Sequence, residues 1–344
     1  MTTQYSPRYF ANCEHVALPT ASQTYEAHTA WWLAQCSRLA YDSKLNIAKY
    51  LKRAGFNQVY FFDMQGTQGF LTLHPGEGEP FAILAFRGTE KNYIDILTDI
   101  IIFRNKLPDV EDKEYGEGPL FAHAGFLSAF QAVWGTALPD SIKLLISESE
   151  WVGPRGVSDI IYDKIQNRKI PLFVTGHSLG GAIATLTAYH AVSYHPHIFL
   201  YTFGSPRVVN RLLSKKINHK LKGRAYRCVQ GDDIVPRVPP LLNYTHVQKL
   251  VYFNPVQGRV PAKGQMRNDL WVILLLIVDA ILFFGTLNFR KPRTTLAHAI
   301  ARYIQAIERE PLKPRRTNNE LITEVTVTQT PTDADSHGAV RFEP

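Results

Sequence analysis

Cysteine is scarce: Cys13, Cys36 and Cys228 are the only three in 344 residues. An odd number, widely spread and without a CxxC pair, excludes a disulfide-stapled scaffold and a cysteine-ligated metal site, and predicts free, reduced thiols. Also lacking is an apolar stretch after a basic start in the first thirty residues, so no secretory leader is expected and the expected setting is cytoplasmic. Charged residues make up only 20% and hydrophobic ones 45%, close to the roughly 25% and 45–50% of ordinary globular chains. Wholesale disorder and fibrous repeats are thereby excluded, and no internal repeat is visible. The length is about twice the ~150 residues of a common domain, so one large domain or two ordinary ones fit.

The 38 basic and 30 acidic residues leave a net charge of +8, and its placement is more informative than its size. From 259 to 302, Arg259, Lys263, Arg267, Arg290, Lys291, Arg293 and Arg302 are opposed only by Asp269 and Asp279, and most of that excess flanks one apolar run. A second cluster, Arg211, Lys215, Lys216, Lys220, Lys222, Arg224 and Arg227, alternates with Leu212, Leu213, Ile217 and Leu221 at helical spacing and reads as a solvated helix face. Neither cluster has the interleaved aromatics of a nucleic-acid surface, so no nucleic-acid partner is expected.

Trp32, Cys36, Leu39 and Ala40 fall on one side of a helix over 24–41, and a second helix is expected over 43–53. Strands follow at 59–63, 70–74 and 81–87, with turns at Gly66, Gly69 and the Pro75, Gly76, Gly78 cluster. Beyond them, short apolar runs at 172–175, 198–203, 225–230 and 247–253 alternate with longer helical stretches. That alternation predicts an α/β fold, a mostly parallel sheet covered by helices. From 311 to 344 only Phe342 is aromatic and Thr, Pro and Asp abound, which predicts a disordered tail with at most a short strand through Ile322, Val325 and Val327.

Within 174–182 the chain reads as a buried strand, then Gly176, His177, Ser178, Leu179, Gly180, then an Ala-rich helix. A serine hydroxyl becomes a useful nucleophile when a tight strand-to-helix turn exposes it to a base and faces the helix N-terminus toward the developing negative charge. Gly176 and Gly180 are the residues such a turn needs, because a Cβ there would collide with neighbouring backbone.

With Phe86, Arg87, Gly88 and Thr89; His123, Ala124, Gly125 and Phe126; the 176–181 turn; the 202–208 run through Ser205, Pro206 and Arg207; and the 233–239 run through Asp233, Pro236 and Pro239, the chain resembles the class 3 lipases, the fungal-type triacylglycerol lipase family of the α/β-hydrolases. The likeness extends over much of 81–307. It departs at Val209, where the family often has Gly, and at the apolar run between the second and third catalytic positions.

In this chain order the acid follows the serine and the histidine comes last. Asp233, after the apolar run 226–229, occupies the place of the family's acid, with Asp232 as the adjacent alternative. Only His246, His298 and His337 lie downstream. His337 falls in the tail and His246 opens a strand, whereas His298 precedes a helix with Tyr303 five residues on, the spacing the family shows; His298 is taken as the base and His246 kept as the alternative. Leu179, directly after the nucleophile, supplies one oxyanion donor through its N–H. The resemblance implies Thr89 as the other. Arg87 reads as a structural ion-pair residue, with a substrate ligand as the alternative, and His123, in a motif of the resembled family, reads as structural with no metal.

Tyr93, Leu97 and Ile100 recur at helical spacing beside polar Asn92, Asp95, Thr98 and Asp99, and similar family members carry a mobile amphipathic lid there. The 270–287 run has 15 apolar residues in 18, about 27 Å as a helix against a ~30 Å hydrocarbon core. A single crossing would separate His298 from Ser178, so a monotopic or re-entrant element at a lipid surface is expected, with a buried helix as the alternative. The resemblance thus implies a lipase domain over 1–310 that cleaves lipid esters of acylglycerol or phospholipid type through an acyl-enzyme, without a cofactor. A soluble esterase on small or polymeric esters and a catalytically silent lipase-like binding protein are the alternatives. Acyl selectivity and oligomeric state are not legible.

Overall fold

The computed structural model describes residues 9–88, 104–106, 119–134, 156–165, 170–231, 233–239, 244–254, 258–261 and 299–315. The expected lid at 92–102, the loop beyond Lys106, the apolar run at 270–287, and Thr89, Asp232, His298 and His337 lie outside the described residues, as does the strand expected through Ile322, Val325 and Val327. Among the described residues no helix is long and apolar enough to cross a membrane.

Strands β1 (Gln58–Met64), β2 (Thr67–His74) and β3 (Phe81–Phe86) form an antiparallel meander. Beyond β3 the pairing turns parallel, through β6 (Leu172–His177), β7 (Ile198–Phe203), β8 (Ala225–Gln230) and β9 (Lys249–Asn254), until β10 (Gly258–Val260) pairs antiparallel with β9. The order is β1-β2-β3-β6-β7-β8-β9-β10, and β4 (Arg104–Lys106) with β5 (Phe121–His123) makes a separate ladder. This is the α/β architecture expected, with a mostly parallel central sheet.

Strands buried on both faces read as continuous apolar runs, and all six residues of β3 are buried. Ala82, Leu84 and Phe86 enter one core with α3 (Ala124–Trp134), α4 (Val157–Lys164), α5 (Leu179–Ala191) and α6 (Arg211–Lys220). Phe81, Ile83 and Ala85 enter the other with α1 (Ala27–Leu39), α2 (Lys44–Arg53) and α7 (Ile300–Ile307). Ser43 caps α2 by accepting the Asn46 N–H at 3.3 Å. In α1 the single apolar stripe expected from Trp32, Cys36 and Leu39 is only part of a wholly buried surface, since Trp31, Leu33, Gln35 and Ser37 are buried too. The reason is a second partner: α1 lies between the sheet and α7, where Trp31 Nε1 donates to Glu308 at 3.1 Å.

Two expectations need correction. The basic cluster on α6 and β8 is solvated only at residues such as Arg211, Lys215 and Lys222; Lys216 and Arg227 are buried, Arg227 because it sits mid-strand in the fully buried β8, near Arg207 and His246. The tail does not become free at Pro311: Ala17 N donates to Lys313 O at 2.9 Å and Arg315 N to His15 O at 3.1 Å. Ion pairs of Lys313 with Glu26 and of Arg315 with Glu77 reinforce that docking. The three cysteines are free and buried.

Candidate active site

β6 ends at His177 and α5 begins at Leu179, so the whole reversal falls on Ser178, at φ 58° and ψ −127°. A non-glycine residue held there costs about 1–3 kcal/mol, which surrounding contacts must outweigh. They are specific. Ser178 N donates to Phe203 O on β7 at 3.0 Å, and Gly181 N donates to Ser178 O at 2.9 Å. A Cβ on Gly176 would sit 2.3 Å from the Gly180 backbone, and one on Gly180 would sit 2.3 Å from Phe86 O. The turn therefore closes only with glycine at both positions, as the sequence pattern predicts. Ser178 Oγ is buried and has no hydrogen-bond partner among the described residues. Leu179, as first residue of α5, has one of the N–H groups that a helix leaves internally unpaired, at its positive end.

Because β6, β7 and β8 run parallel, the loops after β6 and β8 emerge on the same edge of the sheet, where α/β folds bind ligands. Asp233 follows β8 on that edge and is fully buried. Its Oδ1 accepts Val235 N–H at 2.9 Å, and its Oδ2 accepts the Tyr303 hydroxyl. Burial, and then Asp233 itself, push the Tyr303 pKa well up, so this phenol keeps the proton it donates. Tyr303 Oη in turn accepts Gln230 N–H at 3.3 Å. The acid loop is held from beneath as well: Arg207 Nη1 donates to Pro239 O at 2.7 Å and to Arg237 O, and Arg237 Nη2 donates to Gly231 O at 2.9 Å.

Of the two leading histidine candidates, His246 lies among the described residues. His246 is driven well below the usual imidazole range, first by burial and then by Arg227 and Arg207 facing it, with the Pro236 carbonyl pulling the other way. A general base must accept a proton and carry the resulting positive charge, and two guanidinium groups oppose that. His298 lies outside the described residues, as do Thr89 and Asp232. The neighbour of His298, Ala299, is the N-cap of α7, the helix whose Tyr303 bonds Asp233. His123 is buried, with its ring 4.4 Å from that of Phe126 and 5.7 Å from that of Tyr244, a packing position. Arg87 Nη1 donates to Gln68 Oε1, and the guanidinium lies 6.0 Å from the Tyr41 ring centre. Sequence reasoning used Tyr303 only as a spacing marker and missed its bond to the acid; it also missed Arg207 as the clamp of the acid loop, for which a buried-arginine signal exists only in three dimensions.

Residues 83–243 match the family model for class 3 lipases, a stretch that includes Thr89, Ser178, Leu179 and Asp233 and stops short of His298. The chain is 36% identical over 125 residues to secreted mono- and diacylglycerol lipase 1 of Fusarium solani, covering 36% of this chain and 32% of that protein. It is 28% identical over 221 residues to triacylglycerol lipase OBL1 of Ricinus communis, covering 57% and 42%. The chain thus spans less than half the length of these two curated relatives. Lipase II from Rhizopus niveus superposes with a TM-score of 0.48 at 23% identity, over 69% of this chain and 82% of that one. Residues 83–243, a little under half of the chain, thus resemble the class 3 lipases.

Proposed function

We propose that the protein is a serine hydrolase of lipid carboxylesters that works at a lipid surface. The observation that carries this is Ser178 itself, a buried hydroxyl on a strained strand-to-helix turn beside a helix N-terminus. Ser178 Oγ attacks the acyl carbonyl while His298 takes its proton. The tetrahedral oxyanion is met by Leu179 N–H and by Thr89. Collapse breaks the ester C–O bond, and the His298 imidazolium gives its proton to the departing alcohol oxygen. Water, deprotonated by the same imidazole, then attacks the acyl-enzyme; collapse breaks the acyl C–Oγ bond, the imidazolium returns its proton to Ser178 Oγ, and the fatty acid leaves. Asp233, fixed by Tyr303 and Val235 N–H, orients the imidazole and stabilises its charged form. The placement of Ala299 on the helix that reaches Asp233 supports His298 over His246.

A lipid rather than a dissolved substrate is supported by the names of the relatives and by the 270–287 run with its basic flanks. Its two flanks, ending at 261 and resuming at 299, belong to β10 and α7, which pack together. That the described chain stops and resumes at two elements packed together supports a re-entrant or surface-lying element over a single crossing.

Hydrolysis of triacylglycerol, monoacylglycerol and phospholipid dispersions, with Ser178→Ala as blank, tests the reading. Release of fatty acid that rises when substrate forms an interface supports it; activity confined to dissolved short esters replaces it with a soluble esterase. Co-sedimentation with anionic vesicles tests the surface contact, which Arg290→Gln, Lys291→Gln and Arg293→Gln together should weaken, since each cation near an anionic surface contributes about 1 kcal/mol.

A further inference from the structure

Tyr41 lies just past the end of α1 and touches two parts of the molecule that the reaction brings together. Its hydroxyl is 2.9 Å from His177 Nδ1, the residue before the nucleophile, and the backbone amide of Gly88 reaches the same oxygen. At Gly88 there is no room for a side chain: a Cβ would lie 2.1 Å from Tyr41 Oη and 2.6 Å from the His177 carbonyl oxygen. On its other side the His177 ring meets Tyr303 edge-on at 6.2 Å, so the ring stands between Tyr41 and the partner of the acid. Burial pushes the Tyr41 pKa up, against smaller opposing pulls from the Gly88 amide and Arg87, and the phenol stays protonated as a donor.

We propose that Tyr41 is a positioning residue of the hydrolytic site, whose hydroxyl fixes the end of β3 at Gly88 against the elbow at His177 and Ser178. The proposal rests on Ser178 being the nucleophile. An oxyanion hole built from N–H groups of two separate strands works only if both strands hold their spacing while charge develops. Gly180 fixes one side of that spacing by its approach to Phe86 O at the end of β3. Two residues further on, at Gly88, the Tyr41 hydroxyl bridges the chain to His177. The α1 helix is anchored independently by Trp32, Cys36 and Leu39, all fully buried, so the hydroxyl is not needed to hold the helix in place.

The test is Tyr41→Phe in the full chain, assayed on a dissolved short-chain nitrophenyl ester. The expected result is a kcat lowered roughly 10- to 100-fold, the scale on which small misplacements act, with KM changed less than about twofold and a thermal midpoint within a few degrees. Labelling of Ser178 by a nitrophenyl phosphonate should slow in step. In a His177→Phe background the Tyr41→Phe effect on kcat should vanish, since the hydroxyl has lost the partner through which it acts. An unchanged kcat, an equal further drop in the His177→Phe background, or failure of Tyr41→Phe to fold each overturns the proposal. Turnover or phosphonate labelling that survives Ser178→Ala sinks the nucleophile assignment instead, an outcome that Tyr41→Phe does not report.

Discussion

Tyr303 donates its phenolic hydrogen to the carboxylate of Asp233 across 70 residues of sequence. Both groups are fully buried, so the bond has no water to replace it. Tyr303→Phe keeps the ring and removes the donor. The expected loss is about 1–3 kcal/mol of stability, typical for a buried acceptor left short of a partner, together with a reduced kcat. Denaturant titration and kinetics on a dissolved ester check it. A variant as stable and as active as the parent means that the bond contributes nothing.

Ser178→Ala and His298→Ala should each abolish ester turnover, and the double variant should be no worse than either single one, because the triad acts as a unit. His246→Ala should keep most of the activity, given the two arginines that face this imidazole. A dead His246→Ala beside an active His298→Ala reverses the base assignment.

Two glycines should respond in opposite ways to alanine. At Gly180 the new methyl meets Phe86 O at 2.3 Å, backbone against backbone, and the variant should lose soluble expression or several kcal/mol of stability. At Gly125, in the first turn of α3, the nearest atoms are in the His123 ring at 3.5 Å, an ordinary contact. Gly125→Ala should be neutral or gain up to about 1 kcal/mol from helix propensity. Thermal midpoints of the two variants, compared with the parent, decide.

Stability should fall in mild acid. Burial lowers the pKa of His28 and of His74 from 6.5 to about 4. Between those values the unfolded chain binds protons that the folded chain does not, so this contribution is complete above about pH 6.5 and is lost as pH falls toward 4. Each histidine contributes a slope of at most about 1.4 kcal/mol per pH unit. Urea midpoints at pH 7.5 and pH 5 measure it, and His74→Gln should flatten the dependence. Equal midpoints at the two pH values would count against it.

What the sequence disclosed depends on how local each cause is. The central strands were legible because burial on both faces leaves unbroken apolar runs such as that of β3. The elbow was legible because the clashes that demand Gly176 and Gly180 arise within a few residues or against one neighbouring strand. Asp233 stood out by chain order together with the family resemblance, and the structure shows it buried after β8. By contrast, α1 shows one apolar stripe in its periodicity, and nothing local says that α7 will cover the rest. Lys216 and Arg227 read as solvated because charge alone does not reveal which positions the packed sheet will bury. The links from Tyr41 to His177 and from Tyr303 to Asp233 join distant segments, and only the packed sheet brings them together.

The packing of β10 against α7, tied by Arg259 Nε at 2.7 Å from Glu310 Oε2, makes a socket of the place where the chain departs after Pro261 and rejoins at Ala299. Closing a flexible loop costs only about 0.6 kcal/mol more each time its length doubles, so with both stems already clamped the sheet is nearly indifferent to what is strung between them. An insertion or deletion well before His298 should therefore leave the elbow and the acid loop with their geometry, provided the chain still rejoins at Ala299.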